Sequence, residues 1–301
     1  MERTKEEYLE LIKKEFPEVS FQNSRLITHG WDNNVIVLDD RLIFRFPKSE
    51  NYIRRFQVEV KFLEHLLTKV TLPIPKYIYL SKDRSFGGYQ MLTGTEMQPE
   101  LFNSQSEIQK TDIAKALGKF ISDLHSTPTE ILRNCGFKAD PKGHWWGKRN
   151  IESILKELRE KVFPELTNKE VDWVEHQFNE YLGLSFDFEP KIIHYDLNNK
   201  HILFDQTTGA LTGIIDFSDI DIADPAADFA GLWDYGNLFA EQTFSFYSGQ
   251  KDKDLLRRSK FPGLIRPIKH MLETKQGRKI PDGYEILRKK LSEMIASGFT
   301  M

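Results

Sequence analysis

The chain has 301 residues, enough for one large domain or two modest ones with cores of their own. Its 42 basic residues face 45 acidic ones for a net charge of −3, which leaves no cationic surplus for a nucleic-acid binder. A single cysteine, Cys135, excludes an internal disulfide and the cysteine-based metal sites, and fits a reducing compartment.

The first stretch, MERTKEEYLELIKKEFPE, is charged and helix-patterned, with Tyr8, Leu9, Leu11, Ile12 and Phe16 on its apolar face. It lacks the continuous apolar core of a secretory signal. No run approaches the roughly 18 apolar residues of a membrane span, so a cytoplasmic protein without membrane association is expected. Next, SRLITHG, NNVIVLDD and RLIFRFPK read as strands, the second and third meeting in a tight hairpin at Asp39-Asp40. NYIRRFQVEVKFLEHLLTKV carries Phe56, Val60, Leu63 and Leu67 at helical spacing. TLPIPKYIYLS, entered through Pro73 and Pro75, and GGYQMLTG, entered through Gly87-Gly88, read as two further strands. Residues 1–93 are thus expected to form a strand-rich lobe with an embedded helix.

Residues 94–301 read as a mainly helical lobe, through TDIAKALGKFISDLHSTP, NIESILKELREKVF, NKEVDWVEHQFNEYLGL and DPAADFAGLWDYG. Two apolar stretches interrupt it, IIHYDLNNKHILFD at 192–205 and GALTGIIDFSD at 209–219. Such a pair of lobes predicts a cleft between them, a common location for ligands. Taken alone, IIHYDLNNKHILFD suits either a hairpin with a polar turn or a catalytic loop held between two short strands.

The rest of the chain supplies partners for that loop. Asp216 follows the apolar run of GIIDFSD, Glu59 lies in the helix of the first lobe, and Arg45 alternates with Phe44 and Phe46 on a strand. Gly30, in HGWDNN, joins two strands. This order offers what phosphoryl transfer from a nucleotide needs, which is positioning of phosphates and metal ions and neutralisation of their charge.

These segments resemble the aminoglycoside phosphotransferases, a branch of the protein-kinase-like fold that also includes macrolide and choline kinases. HYDLNNKHILFD, GIIDFSD and DPAADFAGL match the family in order and spacing, over nearly the whole chain. FPK after the strand, and His201 where other kinases have asparagine, are most like the members that modify a 2″-hydroxyl. The resemblance implies a bilobal α+β fold and transfer of the γ-phosphate of GTP or ATP to a hydroxyl of a cationic small molecule. It implies Asp196 as catalytic base, His194 as support for its loop, and His201 and Asp216 as magnesium ligands. Arg45, paired with Glu59, would meet the phosphates, with Lys48 as the competing cation and the loop at Gly30 above them. GGYQMLTGTEM would be the hinge that receives the nucleotide base, with Tyr89 and Leu92 beside it and Tyr89 inclining the donor towards GTP.

Two features depart from the wider pattern, since Arg45 stands where the family usually has lysine and the phosphate loop holds one glycine. On the acceptor side, DIDIADPAADFAGLWDYGNLFAEQ gathers Asp219, Asp221, Asp224, Asp228, Asp234 and Glu241, an acidic set suited to a polycation. Asp224 reads as a helix cap before Pro225. Asp228 matches a family position that buttresses the catalytic loop, and it is counted with Trp233 and Asp234 among the acceptor-side candidates. The aromatic cluster GHWWGK, at 143–148, suits the acceptor pocket or the core. A monomer is expected. Rival readings are a kinase of the same fold acting on a macrolide, choline or a sugar metabolite, and a non-catalytic nucleotide-binding pseudokinase. A metal hydrolase built on His194, Asp196 and His201 is a further rival, for which His125 and His144 offer no ligand spacing.

Overall fold

The computed structural model describes residues 3–139 and 146–301. Helix α1 (Lys5–Glu15) starts in a capping box, in which Thr4 and Glu7 satisfy each other's backbone N–H groups. It buries Tyr8 and Ile12 against a five-stranded antiparallel sheet. The strands are β1 (Ser24–Ile27), β2 (Asn33–Leu38), β3 (Leu42–Pro47), β4 (Tyr77–Leu80) and β5 (Gly87–Gln90), in spatial order β1-β2-β3-β5-β4. Asp39 and Asp40 both take left-handed backbone angles in the three-residue connection between β2 and β3, where Arg41 N–H donates to the Leu38 carbonyl and closes the turn. Strand β1 ends at Ile27 rather than running to Gly30, so residues 28–32 form a loop at the sheet's end.

Helix α2 (Glu50–Leu66) is capped by Ser49 and packs Phe56, Val60 and Leu63 inward. Glu59 lies on that same face, one step from Val60, and is fully buried. A short strand β6 (Thr95–Glu96) and helix α3 (Pro99–Asn103) lead into α4 (Glu107–His125), α5 (Thr129–Asn134), α6 (Lys148–Lys161) and α7 (Asn168–Gly183). Strands β7 (Lys191–Ile193), β8 (Ile202–Phe204), β9 (Leu211–Ile214) and β10 (Asp221–Ala223) follow. Helices α8 (Asn237–Phe246), α9 (Leu255–Lys275) and α10 (Gly283–Ala296) complete the fold. One apolar core joins α2, α4 and the short strands, and a second packs α6, α7, α9 and α10 together. The bilobal α+β architecture is the expected one. No helix among the described residues is long and apolar enough to cross a membrane.

The question raised by IIHYDLNNKHILFD is settled by strand pairing. β7 pairs with β10, whereas β8 pairs with β6 and β9, so the two strands belong to different sheets and form no hairpin. Residues 194–201 therefore bridge two separately anchored strands. DPAADFAGLWDYG also differs from expectation: it winds as a 3₁₀ helix over Pro225–Tyr235 rather than as an α-helix. Long 3₁₀ runs are uncommon. Here one is held by Asp224, which caps its start through Ala226 N–H, and by the close approach of its backbone to residues 197 and 198 at Gly231.

Candidate active site

The loop between β7 and β8 is built around a buried carboxylate. Asp228, with no exposed surface, accepts from the backbone N–H of His194 (3.0 Å) and of Tyr195 (2.8 Å). Its Oδ2 also meets His125 Nε2 at 3.0 Å, and His125 Nδ1 reaches the Tyr247 hydroxyl at 2.9 Å. These bonds hold Tyr195 at φ +73°, a left-handed conformation that costs a non-glycine residue about 1–3 kcal/mol. Asp228 is therefore a buttress of the loop and not an acceptor contact. His194 is also structural: it is fully buried, it meets the Ile215 carbonyl through Nε2 at 3.0 Å, and burial pushes its pKa down.

The loop so held presents Asp196 to the cleft, its side chain 47% exposed and its Oδ1 accepting 2.6 Å from Asn198 Nδ2. The Asp196 carbonyl in turn faces His201 Nδ1 at 2.7 Å. A carbonyl can only accept, so Nδ1 carries a proton, and Nε2 is the nitrogen that faces Asp216 Oδ2 at 3.6 Å. Metal-binding histidines are commonly oriented in this way by a backbone carbonyl. The separation is also one that two ligands about 2.1 Å from a single small dication can span. Among the described residues no cluster of three His, Cys, Asp or Glu is poised for a metal, so further positions would fall to phosphate oxygens and water.

Arg45 ties this centre to the first lobe. One end of its guanidinium donates to Glu59 Oε1 (2.6 Å) and the Tyr77 hydroxyl (3.0 Å), and the other to Asp216 Oδ1 (3.0 Å) and Ser218 Oγ (3.2 Å). Burial acts to raise the Asp216 pKa, but Arg45 and then His201 outweigh it and hold the carboxyl well below the ordinary range. Glu59 behaves oppositely, because complete burial pushes it up to about 7 against the pull of Arg45. Lys48, the competing cation, instead donates to the Thr28 and Gly30 carbonyls at 2.7 and 2.6 Å and so braces the loop at Gly30. Arg55, on α2, adds a second interlobe link by pairing with Asp219 and lying 3.5 Å from Asp32.

Of these groups, Arg45, Asp196, Asn198, His201, Asp216, Ser218 and Asp219 border a cleft of about 900 Å³ between the lobes, and Asp228, His194 and Glu59 are buried behind its wall. Towards the first lobe Val35, Ile43 and Tyr89, with Ile215 opposite, offer apolar faces beside Gly30 and Arg45. Leu92 is not among the lining residues, and its side chain packs over Gly213 on β9.

The expected acidic acceptor face is largely absent. Of the six residues gathered there, only Asp219 and Asp234 line the cleft. Asp224 is bound by Arg258, at 2.6 and 3.0 Å, and Asp234 is paired with Arg266 at 3.1 Å. Trp233 lies outside the lining, since its indole N–H donates to Ser259 Oγ (2.9 Å) and Lys260 Nζ covers its ring at 5.4 Å. Gly143, His144 and Trp145 fall outside the described residues, while Trp146 borders the cleft.

His125, Asn198, Ser218, Arg55 and Arg266 were not foreseen as site residues, and only Asn198 and Ser218 carried a sequence signal, each two positions from a predicted aspartate. Gly231 is a further case: a Cβ there would meet the Leu197 carbonyl oxygen at 2.3 Å and Asn198 Cα at 2.9 Å. Gly231→Ala is expected to displace the catalytic loop and lower kcat by up to about 100-fold. Steady-state kinetics beside a thermal melt would check that the loss is not one of folding.

This fold and constellation define the class of nucleotide-dependent kinases. Residues 24–258 match the family described as "APH: Phosphotransferase enzyme family", and the chain belongs to that family. The uncharacterized protein YcbJ of Bacillus subtilis (strain 168) is 25% identical over 258 residues, covering 78% of this chain and 77% of its own length. The GDP and kanamycin complex of an APH(2″) enzyme superposes with a TM-score of 0.84 at 26% identity, over 98% of this chain and 100% of the other. The GDP complex of wild-type aminoglycoside 2'-phosphotransferase-IIIa gives 0.83 at 27% identity, over 99% and 100%.

Proposed function

We propose that this protein transfers the γ-phosphate of GTP or ATP to a hydroxyl of an aminoglycoside, with Asp196 as the base. The observation that carries the reading is the arrangement of Asp196, His201 and Asp216 at one end of the cleft, with Arg45 directed at the same point from the first lobe. The similarity to structures holding GDP and kanamycin supports the choice of acceptor class and favours GTP as donor.

In this mechanism the acceptor oxygen forms a bond to the γ-phosphorus while the bond from that phosphorus to the bridging oxygen breaks, releasing nucleoside diphosphate. The hydroxyl proton passes to Asp196. Asn198 fixes the carboxylate that receives it, and Asp228 fixes the loop that carries both. His201 Nε2 and Asp216 would hold magnesium, which when bound supplies neutralisation of phosphate charge. Arg45 adds fixed positive charge: one end of its fork holds Glu59, and the other, which donates to Asp216 and Ser218, would turn to a phosphate oxygen. Tyr89, Val35 and Ile43 would flank the base.

The test is a coupled assay of GTP and ATP turnover with magnesium against aminoglycosides, macrolides and choline, with Asp196→Ala as control. Aminoglycoside-dependent turnover that disappears in the control supports the proposal. Turnover only with another acceptor moves the substrate class, and failure to bind nucleotide overturns the kinase reading.

A further inference from the structure

Beyond Asp196 the cleft wall comes from the 3₁₀ segment and from α9, which contributes Pro262, Arg266, Lys269 and His270. Among the described residues of these two elements, Asp234 is the carboxylate that lines the cavity. It is already answered by a cation, for Arg266 Nη1 lies 3.1 Å from its Oδ2 and 3.4 Å from its Oδ1. Lys269, on the same wall, meets Glu273 at 2.9 Å. The Arg266 and Asp234 side chains are 47% and 32% exposed, so their pair is solvated and exchangeable rather than locked.

A cationic acceptor entering this wall meets an arginine where it needs a carboxylate. We infer that Arg266 is a specificity-determining residue: its guanidinium occupies Asp234, and an acceptor ammonium binds there only by displacing it. The inference rests on the proposed cationic acceptor. Once displaced, the guanidinium remains beside the cavity as a like charge, so each further acceptor ammonium nearby meets repulsion. The enzyme then favours acceptors of lower positive charge, and removal of Arg266 should relax that preference. Exchange of one cation for another is also nearly neutral in its salt response, whereas an ammonium meeting a vacant carboxylate is not.

The experiment uses the full chain with GTP, magnesium and kanamycin, comparing Arg266→Ala, Arg266→Gln, Asp234→Asn and the Arg266→Ala/Asp234→Asn double variant. Arg266→Ala is expected to lower the kanamycin KM by about 3- to 5-fold and to steepen its rise with ionic strength. Asp234→Asn should raise that KM, and the double variant should match Asp234→Asn, because the effect of Arg266 acts through the carboxylate. Arg266→Gln keeps most of the side chain's packing and should follow Arg266→Ala if charge is responsible. A kanamycin KM that is unchanged or raised in both Arg266 variants, with turnover intact, overturns the inference and leaves the acceptor reading standing. If neither the native chain nor the variants phosphorylate any aminoglycoside although all bind GDP, the acceptor reading falls and this inference falls with it.

Discussion

Asp196→Asn is expected to lower kcat by about 10²- to 10⁴-fold, with the melting temperature and the affinity for GDP close to native. The size of the loss follows from the role, since a base that takes the acceptor proton contributes in that range. The retention of fold follows from the setting. Asp196 is half exposed, with Asn198 donating to its Oδ1 and His201 Nδ1 3.4 Å from its Oδ2, so an amide there leaves no buried charge and stays within reach of solvent. The strain of the loop sits next door at Tyr195 and is held by Asp228, which the substitution does not touch. Steady-state kinetics, a thermal melt and GDP titration check the three parts separately. A variant that keeps more than a tenth of native turnover would place the base elsewhere.

Arg45→Met should produce the largest loss of stability, about 3–5 kcal/mol at neutral pH, because it removes the partner of the fully buried carboxyl of Glu59. Arg45 is 5% exposed and Glu59 fully buried, so solvent cannot take over the lost partner. The loss should depend on pH in a defined sense. In the native chain burial already pushes Glu59 up to about 7 against the pull of Arg45, and without Arg45 it rises further above its ordinary value. Between that ordinary value and the folded one the folded state binds a proton that the unfolded chain does not, so stability falls as pH rises. The gap between native and variant should therefore be wider at about pH 8 than at about pH 5.5 in urea melts. Arg45→Met with Glu59→Leu should regain much of the stability, since the buried charge is gone, and none of the activity. A single variant as stable as the native chain at both pH values would show that the pair is dispensable to the fold.

What the sequence made legible follows local pattern. The helical spacing of Phe56, Val60 and Leu63 placed α2, and Asp196, His201 and Asp216, singled out in short polar interruptions of apolar runs, all line the same cleft. The turn at Asp39-Asp40 was equally plain, because its chemistry is contained in two residues. What remained hidden depends on contacts between distant segments. Nothing within IIHYDLNNKHILFD reveals that β7 and β8 find partners in different sheets. His125 meets Asp228 across 103 positions, and Asp234 meets Arg266 across 32, so local reading left the histidine aside and counted the aspartate as free. Trp233 was counted among the acceptor-side candidates for its place beside Asp234, whereas its indole is engaged by Ser259 and Lys260.

The short strand β6 has a mechanical implication. It pairs with β8, and Met97 N–H donates to the Ile202 carbonyl, so the chain is fastened to the catalytic floor from Thr95 onward. On the other side, β5 ends at Gln90 and Met91 N–H is bound to the Arg41 carbonyl of the first lobe. The chain segment that crosses between these two anchors is thereby limited to Leu92, Thr93 and Gly94, with Gly94 at φ +106° where a Cβ would strike Thr212 Oγ1 at 2.2 Å. Under the proposed function, a base seated against Tyr89 would lie near the axle of any movement between the lobes rather than far out on either swinging arm. Such a base would stay seated while the arms open, and product exchange would then proceed from the phosphate end first.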